Sequence, residues 1–76
     1  MKKTIHSDQS KKLQELLIKA RKDACLTQQE LADKLEKPQS FVAKYEGGER
    51  RLDVIEFKEI CKKLGINASK LLDNME

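Results

Sequence analysis

Few residues in this chain carry reactive chemistry, and their spacing excludes most of it. His6 is the single histidine, and Cys25 and Cys61 are the two thiols. Neither cysteine belongs to a CxxC pair, and one histidine adds too little for a zinc site, so a metal centre and a disulfide framework are both set aside. No Ser/His/Asp or Cys/His set is spaced to cooperate, and no glycine-rich loop offers its amides to a phosphate. The chain therefore reads as a non-enzyme with no cofactor and no metal. Cys25 and Cys61 are expected to stay reduced and to act as small apolar groups. What remains is polar and basic chemistry. Lys2, Lys3, Lys11 and Lys12 load the N-terminal segment, and Arg50 and Arg51 follow Gly47-Gly48. With 16 basic against 13 acidic residues the net charge is +3, which alone is weak evidence for a nucleic-acid partner.

The elements that position these groups must be small. A chain of 76 residues supports one domain. Apolar and charged residues each make up 38%, so the apolar ones must fall in a strict pattern to build a core. No apolar run approaches the ~20 residues of a membrane span. Met1 to Ser10 is basic with no apolar segment behind it, so neither a signal peptide nor a membrane is expected, and the location is read as cytoplasmic.

The pattern is helical throughout. Leu13, Leu16, Leu17 and Ala20 follow i, i+3, i+4, i+7 and predict a first helix from Ser7 or Asp8 to Ala24, with Ser7 as cap and residues 1–7 as a flexible basic tail. Thr27-Gln28-Gln29-Glu30 is a capping box that starts a second helix ending near Leu35 or Glu36. Pro38 breaks that helix and suits the start of a third, over Gln39 to Tyr45, closed by Gly47-Gly48. Asp53 is read as the cap of a fourth helix reaching Leu64, whose stripe is Val54, Phe57, Ile60, Cys61 and Leu64. Gly65 stops it, and a fifth helix spans Ala68 to Met75, with Asn67 as its cap.

Two very short helices joined by a tight turn are the signature of a helix-turn-helix, here over about residues 27–46. A helix fits the major groove of B-DNA, and side chains at its N-terminal end reach base edges. The helix before it points free amides at a phosphate. From Leu16 to Leu72 the sequence resembles the Cro/phage-repressor, or XRE-like, helix-turn-helix family. The residues that carry the resemblance are Arg21, Leu26-Thr27-Gln28-Gln29-Glu30-Leu31-Ala32, Gln39-Ser40-Phe41-Val42-Ala43-Lys44-Tyr45-Glu46 and Gly48-Glu49-Arg50, followed by Leu64-Gly65-Ile66 and Leu71-Leu72.

The resemblance implies an all-α, compact five-helix, lambda-repressor-like domain over residues 8–76. It implies a sequence-specific transcriptional regulator of double-stranded DNA, read as a repressor on a palindromic operator. Gln28 sits where such proteins touch a phosphate. Gln39 and Ser40 open the recognition helix, where base contacts begin, and Lys44 lies one turn further on the same face. Glutamine suits adenine and lysine suits guanine. Arg50 falls in the loop that touches the DNA backbone, and Arg21 and Glu46 fall where the family has a structural ion pair. Phe41 adjoins Val42, so both cannot turn fully inward. That leaves Phe41 open to a thymine methyl or a partner chain. Glu36 and Cys25 occupy positions where glycine is common, and Pro38 replaces the usual polar cap. A domain this small reads few base pairs, so a homodimer is expected, joined through Ile66, Leu71, Leu72 and Met75. Two variants of the reading stay open: an antitoxin, or a restriction–modification controller protein, each combining DNA binding with a protein partner.

Overall fold

The computed structural model describes the backbone of residues 2–74 and the side chains of residues 9–74. Five helices and no strand occur among the described residues: α1 (Lys2–Asp23), α2 (Gln28–Leu35), α3 (Gln39–Glu46), α4 (Val54–Leu64) and α5 (Ala68–Asp73).

The starts follow side-chain capping. Thr27 Oγ1 accepts from the Glu30 amide at 3.0 Å, and Glu30 Oε1 accepts from the Thr27 amide at 2.8 Å. A second capping box, absent from the sequence reading, joins Asp53 and Glu56 at 2.7 and 3.0 Å. Asn67 Oδ1 accepts from the Lys70 amide. Pro38 caps α3 with no side-chain bond, its φ of −69° preset for the helix entry.

Three helices end the same way. Leu26 N–H reaches back to the Arg21 carbonyl and Cys25 N–H to that of Lys22. Lys37 and Glu36 do the same to Ala32 and Asp33, and Ile66 and Gly65 to Cys61 and Lys62. These are Schellman closures, which put one residue in the left-handed region. Gly65 takes it at φ 73°, but Cys25 and Glu36 take it at 61° and 59° with a Cβ present. Backbone strain of roughly 1–3 kcal/mol is thus held at each of those two residues. After α3, Gly47 stays right-handed, and it is Gly48 that turns at φ 84°.

Two boundaries differ from the sequence reading. α1 begins at Lys2, so the segment read as a tail over 1–7 forms its first turns, apart from Met1, which lies outside the described residues. Ser7 is therefore interior and not a cap. Nothing between Lys2 and Asp8 is glycine or proline, so no residue there stops the helix. α5 closes at Asp73, and Met75 lies outside the described residues.

Each helix sends apolar residues to one core: Leu17 and Ala20 from α1, Leu31, Ala32 and Leu35 from α2, Phe41, Val42 and Tyr45 from α3, Ile60, Cys61 and Leu64 from α4, and Leu71 from α5. The α4 stripe is shorter than its period suggested. Val54 lies in the first turn and is 72% exposed, as is its neighbour Ile55 at 78%. Phe57 is half-buried. Phe41 and Val42 are both buried. Their adjacency did not force one outward, because α3 is wedged between α1 and α2 and offers two inward faces.

Candidate nucleic-acid interface

The turn Glu36-Lys37-Pro38 sets α3 against α2. The left-handed Glu36 reverses the chain, and Pro38 starts the next helix without a cap side chain to occupy its end. The inward face of α3 is apolar, so its register turns the polar positions out. Gln39, Ser40 and Lys44 are all exposed, on the leading edge and one turn along. Gln28 opens α2 beside them and is half-buried.

A run of hydrogen bonds ties these side chains to the frame. Gln39 Nε2 donates to Gln28 Oε1 at 2.7 Å, and Gln28 Nε2 donates to Glu46 Oε1 at 2.9 Å. Arg21 donates from Nε to Glu46 Oε2 at 2.7 Å and from Nη2 to Oε1 at 3.1 Å, while its Nη1 donates to the Leu26 carbonyl at 2.8 Å. The side chains of Arg21 and Glu46 are only 11% and 5% exposed. The hydrogen bonds to Glu46 raise the Arg21 pKa above its already high ordinary value, against the opposing effect of burial. One buried carboxylate thus receives α1, its own helix α3, and the start of α2. Through Gln28 it also orients the first side chain of α3.

Among the described residues the Gln39 side-chain oxygen and second N–H find no partner, and they are the pair of groups an adenine edge requires. At the start of α2, Thr27 takes the Glu30 amide, while the Gln28 and Gln29 amides point out of the helix end, where an anion is favoured.

Arg50 is held by more partners than its loop position suggested. Its guanidinium grips Glu56 at 2.9 and 2.8 Å, touches the Arg51 carbonyl at 3.0 Å, and lies 4.8 Å from the centre of the Phe41 ring. Hydrogen bonds from Arg50, then the Asp53 amide, hold the Glu56 carboxyl at about 2, well below the usual carboxylate range. Glu56, Asp53 and Lys37 escaped the sequence reading as members of this region. The Asp53-x-x-Glu56 spacing is a capping-box signal that was there to find. The Arg50 contact was not, because it joins a loop to a helix by tertiary approach. Phe41 is only 9% exposed, so a thymine methyl does not reach it freely.

Among the described residues no group of His, Cys, Asp and Glu is arranged to hold a metal ion, and no helix is long and apolar enough to cross a membrane. Cys25 is exposed and Cys61 is buried in the core.

An α2–turn–α3 unit with a polar leading edge, braced by three further helices, defines a helix-turn-helix protein. A helix-turn-helix family model matches residues 17–71, and the chain belongs to the XRE-family helix-turn-helix proteins. It is similar to the solved structure of an XRE-family like protein from Pseudomonas syringae pv. tomato str. DC3000, with 49% identity and a TM-score of 0.92. That match covers 97% of this chain and 90% of the other. No protein with a curated description matches the chain. Family and fold together support a DNA-binding regulator.

Proposed function

We propose that this chain is a sequence-specific transcriptional regulator, a repressor that binds a palindromic operator as a homodimer in the cytoplasm and catalyses no reaction. The observation that carries this reading is the exposed edge of α3, where Gln39, Ser40 and Lys44 stand clear of the core while Phe41, Val42 and Tyr45 anchor the helix from behind. In the groove, Gln39 reads adenine, Lys44 reads guanine, and Ser40 accepts or donates to the intervening edge. Gln28 and the α2 amides take one phosphate, and Arg50 takes another from the loop behind α3.

The proposed dimer places two copies of α3 about 34 Å apart. Its interface narrows from the one expected. Leu71 is a core residue at 8% exposure, so it is withdrawn from the interface; Ile66 is half-buried, and Met75 lies outside the described residues. Among the described residues the large apolar side chains left exposed for a second copy are Leu72 at 48% on α5 and, as a separate patch, Val54 and Ile55 at the start of α4.

Selection of bound duplexes from a random pool by the purified protein tests the reading. The expected result is an enriched palindrome with half-sites one helical turn apart. Gln39→Ala and Lys44→Ala should each cost about 1–3 kcal/mol on that site and relax its sequence, while Gln28→Ala should weaken all duplexes alike. A pool that emerges unenriched at low salt would remove the proposal.

A further inference from the structure

Lys37, in the turn before α3, and Arg50, in the loop after it, meet at the same aromatic ring. The Lys37 ammonium lies 5.3 Å from the centre of Phe41 and the Arg50 guanidinium 4.8 Å. The ring is held in place from the core side, edge to face with Tyr45 at 5.6 Å and 71°. A fixed ring with two cations on it is a support, because the electron-rich face attracts each cation and restrains a side chain that would otherwise sweep through solvent.

The cations at this spot are not paired alike. Glu56 is the carboxylate that Arg50 grips with both nitrogens, and it also feels the positive charge of Lys37. Among the described residues Lys37 has no carboxylate within ion-pair distance of its own. Asp53 adds a second negative charge near Arg50, so what stands out is the Lys37 ammonium, exposed and without a direct ion-pair partner among the described residues. It stands two residues before Gln39, on the approach to the exposed edge of α3.

We infer that Phe41 gathers Lys37 and Arg50 into a clamp for one phosphate of the DNA backbone, with Lys37 making the contact and Phe41 acting as its positioning residue. This rests on the DNA-binding reading and adds to it a residue, Lys37, outside the recognition helix. The clamp bears on phosphate and not on bases, since the ring is buried and the ammonium sits beside the turn. Restraining Lys37 in advance lowers the ordering cost of binding. Register along the groove is then set by two phosphate contacts beside the start of α3, one at the Gln28 end of α2 and one at Lys37.

The test is the salt dependence of affinity for the selected operator and for a random duplex, measured on the full chain. Lys37→Gln should weaken both duplexes by the same factor. It should also flatten the log–log salt slope by about 0.9, so that affinity lost between ~50 and ~200 mM salt shrinks by about 3.5-fold. Phe41→Leu keeps an apolar group in the core but removes the ring; it should flatten the slope in the same sense, and Phe41→Tyr should restore it. Lys37 is exposed, so its variant folds whatever Phe41→Leu does to stability. A wild-type slope in Lys37→Gln would overturn the clamp while leaving DNA binding intact. A slope flattened by Lys37→Gln but unmoved in folded Phe41→Leu would overturn the role of the ring. A wild-type protein that binds neither duplex would overturn the clamp together with the reading beneath it.

Discussion

Splitting the Arg21–Glu46 pair should damage stability far more than removing it whole. Both side chains are nearly closed off from water, at 11% and 5% exposure, and they meet through two bonds of 2.7 and 3.1 Å. Arg21→Met leaves the Glu46 carboxylate buried with Gln28 as its remaining donor, and a buried charge stripped of its partner costs about 3–5 kcal/mol. Glu46→Leu leaves the Arg21 guanidinium buried with the Leu26 carbonyl as its remaining acceptor, so it belongs in the same range. A domain of this length has roughly 4–11 kcal/mol in total. Either variant should thus lose about 12 °C or more in melting temperature. The double variant Arg21→Met/Glu46→Leu leaves no charge behind and fills the space with apolar atoms, so it should recover most of the loss. Urea denaturation followed by circular dichroism on all four proteins gives the coupling energy directly. We expect it above about 2 kcal/mol, with the double variant more stable than either single one. A coupling under about 1 kcal/mol would show that the pair is solvated in practice and would refute the reasoning. The same double variant carries a second readout. It removes the acceptor of Gln28 Nε2, so Gln39 loses the far end of its tether. Operator preference should relax even where stability returns.

Four further outcomes follow from the geometry. Glu36→Gly should raise stability by about 1 kcal/mol in thermal denaturation, because Glu36 sits at φ 59° with a Cβ that glycine lacks; a lower melting temperature would contradict the strain. The Tyr45 hydroxyl is buried without a hydrogen-bond partner, and burial pushes its pKa well above the usual tyrosine value, so Tyr45→Phe should be neutral or stabilising by about 1 kcal/mol, and a loss of that size would reveal a missed partner. Glu56 has its pKa lowered from 4.5 to about 2, so its link to Arg50 supports the fold above the ordinary value and is lost as pH falls through the lower one; a carboxyl titration by NMR should place the midpoint near 2 and move it upward in Arg50→Gln, and a midpoint near 4.5 in the native protein would dissolve the link. Ile55→Glu and Leu72→Glu separate the two exposed apolar patches: the one that lowers sedimentation mass marks the dimer contact, and no change in either would argue against both.

Residues that act on their own neighbours were legible, and residues that act across the fold were not. Thr27 and Glu30, Pro38, and the Gly47-Gly48 stop each work within a few positions, so the sequence alone placed α2 and α3 close to their observed bounds. The start of α1 failed because Ser7 is a good cap only where a helix has reason to begin, and nothing before it breaks one. Val54 failed because a correct helical period says which face a residue shares, not whether the core extends to that turn. Glu36 and Cys25 were suspect as non-glycines, but their left-handed backbone followed only from closures reaching five residues back along the chain.

The candidate interface adds a further step. An eight-residue helix such as α3 cannot hold itself together in water, so its shape is supplied by what it leans on. Here the support and the exposed polar edge of α3 are joined through one atom: Glu46 Oε1 accepts from both Arg21 and Gln28, and Gln28 in turn holds Gln39. The residue types along that route are visible in the chain, but their connection spans α1, α2 and α3 and exists only once the core has closed. Base preference at Gln39 is therefore predicted to be coupled to the integrity of a pair that never approaches DNA. The Arg21→Met/Glu46→Leu variant, which regains most of its stability, should still choose a different spread of duplexes from the native protein.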